Sequence, residues 1–163
     1  MTRGRAGRLG KLLLASGKRL AVAESCTGGL LAGAITDVPG SSRYFLGGTV
    51  AYHNDVKACA LGVPPSLVAA HGAVSSEVAL AMAEGVLARI DADVAIATTG
   101  VAGPGGGTKG KPVGTVWVAV ADRRGVRRAY RHRFKGDRGV VRRATVRAAL
   151  EVAVSLLSEG KGG

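Results

Sequence analysis

The chain has 163 residues, 47% of them hydrophobic, with 23 lysines and arginines against 11 acidic residues. That length fits one domain with a single core, and the apolar runs at 12–15 and 113–121 are too short to cross a bilayer. No signal-peptide pattern opens the sequence, so one compact cytoplasmic domain is expected. The formal charge of +12 would attract nucleic acid, nucleotides and phosphorylated metabolites alike, and chooses none of them.

Leu9, Leu12 and Leu13 at helical spacing predict a first amphipathic helix over 8–16, stopped by Gly17, with residues 1–7 frayed. Residues 19–23 read as a short buried strand that delivers Glu24, Ser25, Cys26, Thr27, Gly28 and Gly29 at its end, and a helix follows over 28–36. Strand, small polar turn, helix is the order of an α/β layer. The backbone N–H groups of Thr27, Gly28 and Gly29 are expected to be free at that helix start, as an anion site or simply as a tight connection. Residues 45–52 predict a strand in which Gly47 and Gly48 mark a bulge or a close backbone contact, and Asn54 a helix N-cap that places Lys57 in the first turn.

Pro64 and Pro65 open a short helix ending near His71, and Ser75 or Ser76 caps a longer one to about Ile90. Residues 93–99 read as a central strand that opens into a glycine-rich loop over 100–112. A hairpin over 113–134 and a last helix from Asp137 to about Leu157 complete the chain, with 160–163 frayed. Cys26 and Cys59 are expected as free thiols; His53, His71 and His132 are scattered, so neither a metal nor a cofactor is expected.

Two glycine patterns fail on context. Residues 105–112 approach a phosphate-binding P-loop, but Pro112 stands where the magnesium-holding hydroxyl belongs. Gly105, Gly107 and Gly110 spell a dinucleotide fingerprint, yet a strand follows where a helix is required. The basic run over 123–147 has only Tyr130 and Phe134 interleaved, which leaves nucleic-acid binding as a secondary reading.

The stretch 40–57 gathers Ser41, Ser42, Tyr52 and Lys57 around one strand. A serine hydroxyl becomes a nucleophile when a base takes its proton, and a lysine amine held neutral by burial and by a helix N-terminus can be that base. Spacing alone favours the plainer alternative, an exposed helix lysine. Cys26, at a helix start, is the rival nucleophile but has no base beside it in sequence.

Ala23-Glu-Ser-Cys-Thr-Gly-Gly29, Pro39-Gly-Ser-Ser42, Tyr52 with Asn54 and Lys57, Gly100-Val-Ala-Gly-Pro104, Pro112-Val-Gly-Thr-Val-Trp117 and Gly136-Asp-Arg138 resemble, in order, the blocks of the CinA C-terminal domain family. The likeness runs from about Arg8 to Leu157. It implies a three-layer α/β/α sandwich with a mixed sheet, in a single domain that is usually dimeric. It also implies hydrolysis of the carboxamide of nicotinamide mononucleotide to nicotinate mononucleotide and ammonia. Carried onto this chain, the resemblance makes Ser42 the nucleophile, Lys57 the base and Tyr52 the proton relay. Substrate is assigned to Ser25, Thr27, Gly28, Gly29, Thr99, Gly100 and Arg138, with Arg142 one turn later completing a phosphate clamp. His53 departs from the family's smaller polar residue. Larger family members carry a further N-terminal domain, so the pyrophosphatase activity of that domain is expected to be absent here. A non-catalytic nucleotide- or nucleic-acid-binding module on the same fold is the alternative.

Overall fold

The computed structural model describes residues 1–160, a five-stranded sheet between two helical layers. In chain order the elements are α1 Thr2–Ser16, β1 Leu20–Glu24, α2 Leu30–Thr36, a single 3-10 turn Ser41–Arg43, β2 Phe45–Val50, α3 Asn54–Leu61, α4 Pro65–His71, α5 Ser76–Ile90, β3 Val94–Gly100, β4 Thr115–Asp122, β5 Arg127–Arg133 and α6 Arg138–Glu159. The strand order is β2-β1-β3-β4-β5, parallel across β2, β1 and β3 and antiparallel beyond. This is the mixed α/β/α sandwich that the family resemblance implies.

The two faces of the sheet differ in chemistry because side chains alternate along each strand. Leu20, Val22, Val94, Ile96, Val116, Val118 and Val120 pack under α1, α2 and α6, where Leu9 and Leu13 are also buried. Burying each leucine contributes roughly 1.5–3 kcal/mol. The other face is an alanine floor of Ala21, Ala23, Ala95, Ala97, Ala119 and Ala121, on which α5 lies close through Val78, Met82 and Val86. Small residues there let α5 and α3 approach until a Cβ at Gly85 would stand 2.0 Å from the Leu61 carbonyl oxygen.

Three helix starts differ from the sequence reading. Helix α1 begins at Thr2, because Ala6 is buried in the core and holds the first turns down. Helix α2 begins only at Leu30, since Gly28 and Gly29 have φ of +55° and +100° and form a turn. The N-cap of α3 is His53, whose Nδ1 accepts the Asp55 N–H, and Asn54 is already helical. Residues 161–163 of the predicted frayed end lie outside the described residues. Both readings of the Gly47–Gly48 region have a counterpart in β2: the pairing jumps from Leu20 with Phe45 to Ala21 with Gly47, leaving Leu46 over as a bulge one residue before Gly47, while Gly48 lies close against the Val22 backbone. Ser75 and Asp137 cap α5 and α6 by accepting the N–H groups of Val78 and Val140. Among the described residues no helix is long and apolar enough to cross a membrane.

Candidate active site

The chain leaves β1 for β2 on one side and later places β3 on the other, so the connections diverge at the carboxyl end of β1. Crevices open at such points in α/β sheets. Here a cavity of about 300 Å³ is lined by Ser25 after β1, Tyr52 and Lys57 after β2, Thr99 and Gly100 at the end of β3, and Arg138 at the start of α6. Two larger surface grooves, of about 530 and 620 Å³, hold no lysine or histidine beside a hydroxyl.

Ser42 is not in this cavity. The 3-10 turn Ser41–Arg43 precedes β2, and the Tyr44 carbonyl accepts the N–H of Leu20 at the start of β1. Because β1 and β2 run parallel, Ser42 and Lys57 sit at opposite ends of the sheet. At about 3.3 Å per residue, a five-residue strand puts roughly 15 Å between those ends. The hydroxyl that does face Lys57 is that of Ser25, with Nζ 3.1 Å from Oγ.

Lys57 is 1% exposed although it is in the first turn of a helix. Its Nζ also donates to the Tyr52 carbonyl oxygen at 3.2 Å, and among the described residues no carboxylate pairs with it. Burial holds its pKa below the ordinary lysine value, against a smaller opposing influence from Cys26. The N-terminal dipole of α3 disfavours the ammonium further. The amine is therefore anchored on a backbone carbonyl on one side and lies within hydrogen-bond distance of the Ser25 hydroxyl on the other. Cys26, buried next to Ser25, has its thiol pushed up to about 12 chiefly by burial, which keeps it protonated and unreactive at neutral pH.

The Tyr52 phenol has a different partner from the one expected of a relay. Its oxygen accepts from Arg138 at 2.7 Å, while Lys57 is reached through the Tyr52 backbone. Arg138 donates from its other nitrogen to the Gly103 carbonyl at 2.8 Å, so one guanidinium ties the end of β2 to the glycine-rich loop across the cavity. Thr99 lines the cavity but its hydroxyl donates to the Ala73 carbonyl at 2.9 Å. Gly100 admits no side chain, since a Cβ would stand 2.6 Å from Val116 Cγ2.

Four residues expected to hold substrate do other work. Thr27 is fully buried, with Oγ1 donating to Glu24 Oε1 at 2.6 Å and lying 2.8 Å from Thr98 Oγ1. Gly28 and Gly29 shape the turn and do not line the cavity. Arg142 donates to the Cys26 and Thr27 carbonyls at 3.1 and 3.0 Å, and so holds backbone, not a phosphate. Of the two readings of the start of α2, an anion site or a tight connection, the geometry matches the second: Glu24 accepts the N–H groups of Leu31 and Ala32 at 2.8 and 3.1 Å. Sequence reasoning assigned Glu24 no role. Its signal was present, a carboxylate closing an apolar strand directly before a turn of small residues.

Residues 3–157 match the family model of the CinA C-terminal domain. A CinA-like protein of Geobacter sp. (strain M21) is 54% identical over 92% of this chain and 36% of its own length; the chain spans about a third of the curated relatives it matches. Among solved structures, a competence/damage inducible protein from Agrobacterium tumefaciens is 44% identical, covered over 95% of this chain and 94% of that one at a TM-score of 0.93. A CinA superfamily protein from Klebsiella pneumoniae is 38% identical over 98% and 99% of the two chains, with a TM-score of 0.94.

Proposed function

This chain belongs to the CinA C-terminal domain family, and from that premise and the geometry of the cavity we propose that it is a serine amidohydrolase releasing ammonia from nicotinamide mononucleotide. The observation that carries the reading is the buried pair of Lys57 Nζ and Ser25 Oγ at 3.1 Å. A hydroxyl beside an unpaired buried amine is a nucleophile with its base, and the family resemblance supplies the carboxamide substrate.

In this reading the neutral Lys57 amine takes the Ser25 proton as Oγ bonds to the carboxamide carbon. The C=O electrons move onto oxygen to form a tetrahedral oxyanion. The oxyanion collapses, the C–N bond breaks, and Lys57 returns its proton to the departing nitrogen, which leaves as ammonia. Water then adds to the Ser25 ester with Lys57 again taking a proton; collapse releases nicotinate mononucleotide and restores the serine. Tyr52 supports the step by its carbonyl, which orients the amine. Arg138 is the cation that faces the cavity with no carboxylate partner among the described residues, and it suits the anionic end of a mononucleotide.

Ammonia release from nicotinamide mononucleotide by the purified protein tests this directly. Ser25→Ala and Lys57→Met should abolish turnover and Ser42→Ala should leave it intact. Absence of turnover in the unmodified protein overturns the substrate; full activity in Ser25→Ala overturns the nucleophile.

A further inference from the structure

The chemistry of Ser25 depends on a turn that has no regular secondary structure, and buried residues outside the cavity hold it. Glu24, the last residue of β1, is 1% exposed. A buried carboxylate needs donors, and these come from two places: the Thr27 hydroxyl, and the N–H groups of Leu31 and Ala32 in the first turn of α2. Those N–H groups have no acceptor within their helix, and the N-cap residue Gly29 has no side chain to offer one. Glu24 does this from across the turn, so one carboxylate joins the residue before Ser25 to the helix after it.

The carbonyls of the same turn are held from the opposite side. Arg142 on α6 reaches the Cys26 and Thr27 oxygens. Thr27 Oγ1 meets Thr98 Oγ1 on β3, and the Ser25 N–H donates to the Thr98 carbonyl at 3.0 Å. Backbone and side chains on both flanks of Ser25 are thereby fixed, and the Ser25 hydroxyl is left to face Lys57.

We propose that Glu24 and Arg142 are positioning residues, linked through Thr27, that hold the 25–29 turn in the shape that aims Ser25 Oγ at Lys57 Nζ. The inference rests on the reading of Ser25 as nucleophile. It assigns Glu24 no proton transfer and Arg142 no substrate contact.

The test compares Glu24→Gln, Thr27→Val and Thr27→Ser with the unmodified protein by three readouts. These are kcat and KM for nicotinamide mononucleotide, the rate at which a fluorophosphonate labels Ser25, and the thermal midpoint. Misaimed nucleophiles lose rate and not affinity, so Glu24→Gln and Thr27→Val should lower kcat and the labelling rate together by roughly 10–100-fold, with KM within about twofold. Thr27→Ser, which keeps the hydroxyl, should recover most of both rates. The ascending limb of the pH profile should stay in place, since Lys57 is unaltered. The proposal is overturned if Glu24→Gln and Thr27→Val label Ser25 as fast as the unmodified protein, or if Thr27→Ser is as slow as Thr27→Val. Should Glu24→Gln fail to fold, the Thr27 pair decides. Labelling of Ser25 without ammonia release would remove the substrate reading and leave positioning to be judged on labelling; labelling elsewhere with Ser25 unmodified removes both.

Discussion

Lys57 Nζ and Ser25 Oγ stand 3.1 Å apart across 32 residues of sequence, inside a site where among the described residues no carboxylate pairs with the amine. That pairing makes the protonation of Lys57 the quantity on which the proposed chemistry turns.

Activity should rise with pH. The proposed base works only as the neutral amine, and burial lowers the Lys57 pKa from 10.5. The ascending limb of kcat/KM should therefore have its midpoint below 10.5 and be followed by a plateau. A limb centred at the ordinary lysine value would remove Lys57 as the base.

Lys57→Met should make the protein inactive and more stable. Between the lowered folded pKa and 10.5 the unfolded chain binds a proton that the native state does not. Stability tied to the neutral amine is thus complete only above 10.5 and is lost as pH falls through the folded pKa. Methionine fills the same channel without that loss, for a gain on the order of 0.5–2 kcal/mol at neutral pH. Paired urea titrations at pH 7 and above 10.5 should show the difference between the proteins shrinking at the higher pH; equal stability of the two proteins at pH 7 contradicts the account.

Tyr52→Phe and Arg138→Lys should separate backbone from side-chain roles. Phenylalanine keeps the carbonyl that anchors Lys57, so turnover should fall by no more than about tenfold, the loss of one hydrogen bond. Lysine cannot span Gly103 and the Tyr52 phenol as the guanidinium does, and should raise KM by roughly tenfold or more. A Tyr52→Phe variant as dead as Ser25→Ala would restore the phenol as a proton relay.

Two glycine substitutions, one on each side of the sheet, contrast a tight helix contact with an open helix position. Gly85→Ala drives a methyl against the Leu61 carbonyl at 2.0 Å and should cost about 1–3 kcal/mol, a fall of several degrees in the thermal midpoint. Gly33→Ala, with nothing within 4 Å of its Cβ and a place inside α2, should raise stability by about 0.5–1 kcal/mol. Similar midpoints for the two variants would show that α3 and α5 are not in close contact.

Much of this architecture was legible before any coordinates. Strands β1, β3 and β4 announced themselves as largely apolar runs of five to eight residues, and the serine pair 75–76 and Asp137 marked helix starts, where Ser75 and Asp137 accept N–H groups that helix geometry leaves free. The ordered motif blocks also carried the family, and the first-turn position of Lys57 was readable from the sequence that precedes it.

The nucleophile was not readable in that way. Ser42 is closer to Lys57 along the chain than Ser25 is, but β2 lies between them and carries the chain the length of the sheet. Parallel pairing of β1 with β2 then returns Ser25 to the end where Lys57 begins its helix. Arg142 was misread for a related reason: helical spacing put it one turn from Arg138, while the packing of α6 over the 25–29 turn directed it to backbone carbonyls. Local propensity and motif therefore determined the elements, the family and the reactive residue types. Tertiary structure alone decided which hydroxyl meets the amine, because strand direction and pairing determine which loops share an end of the sheet.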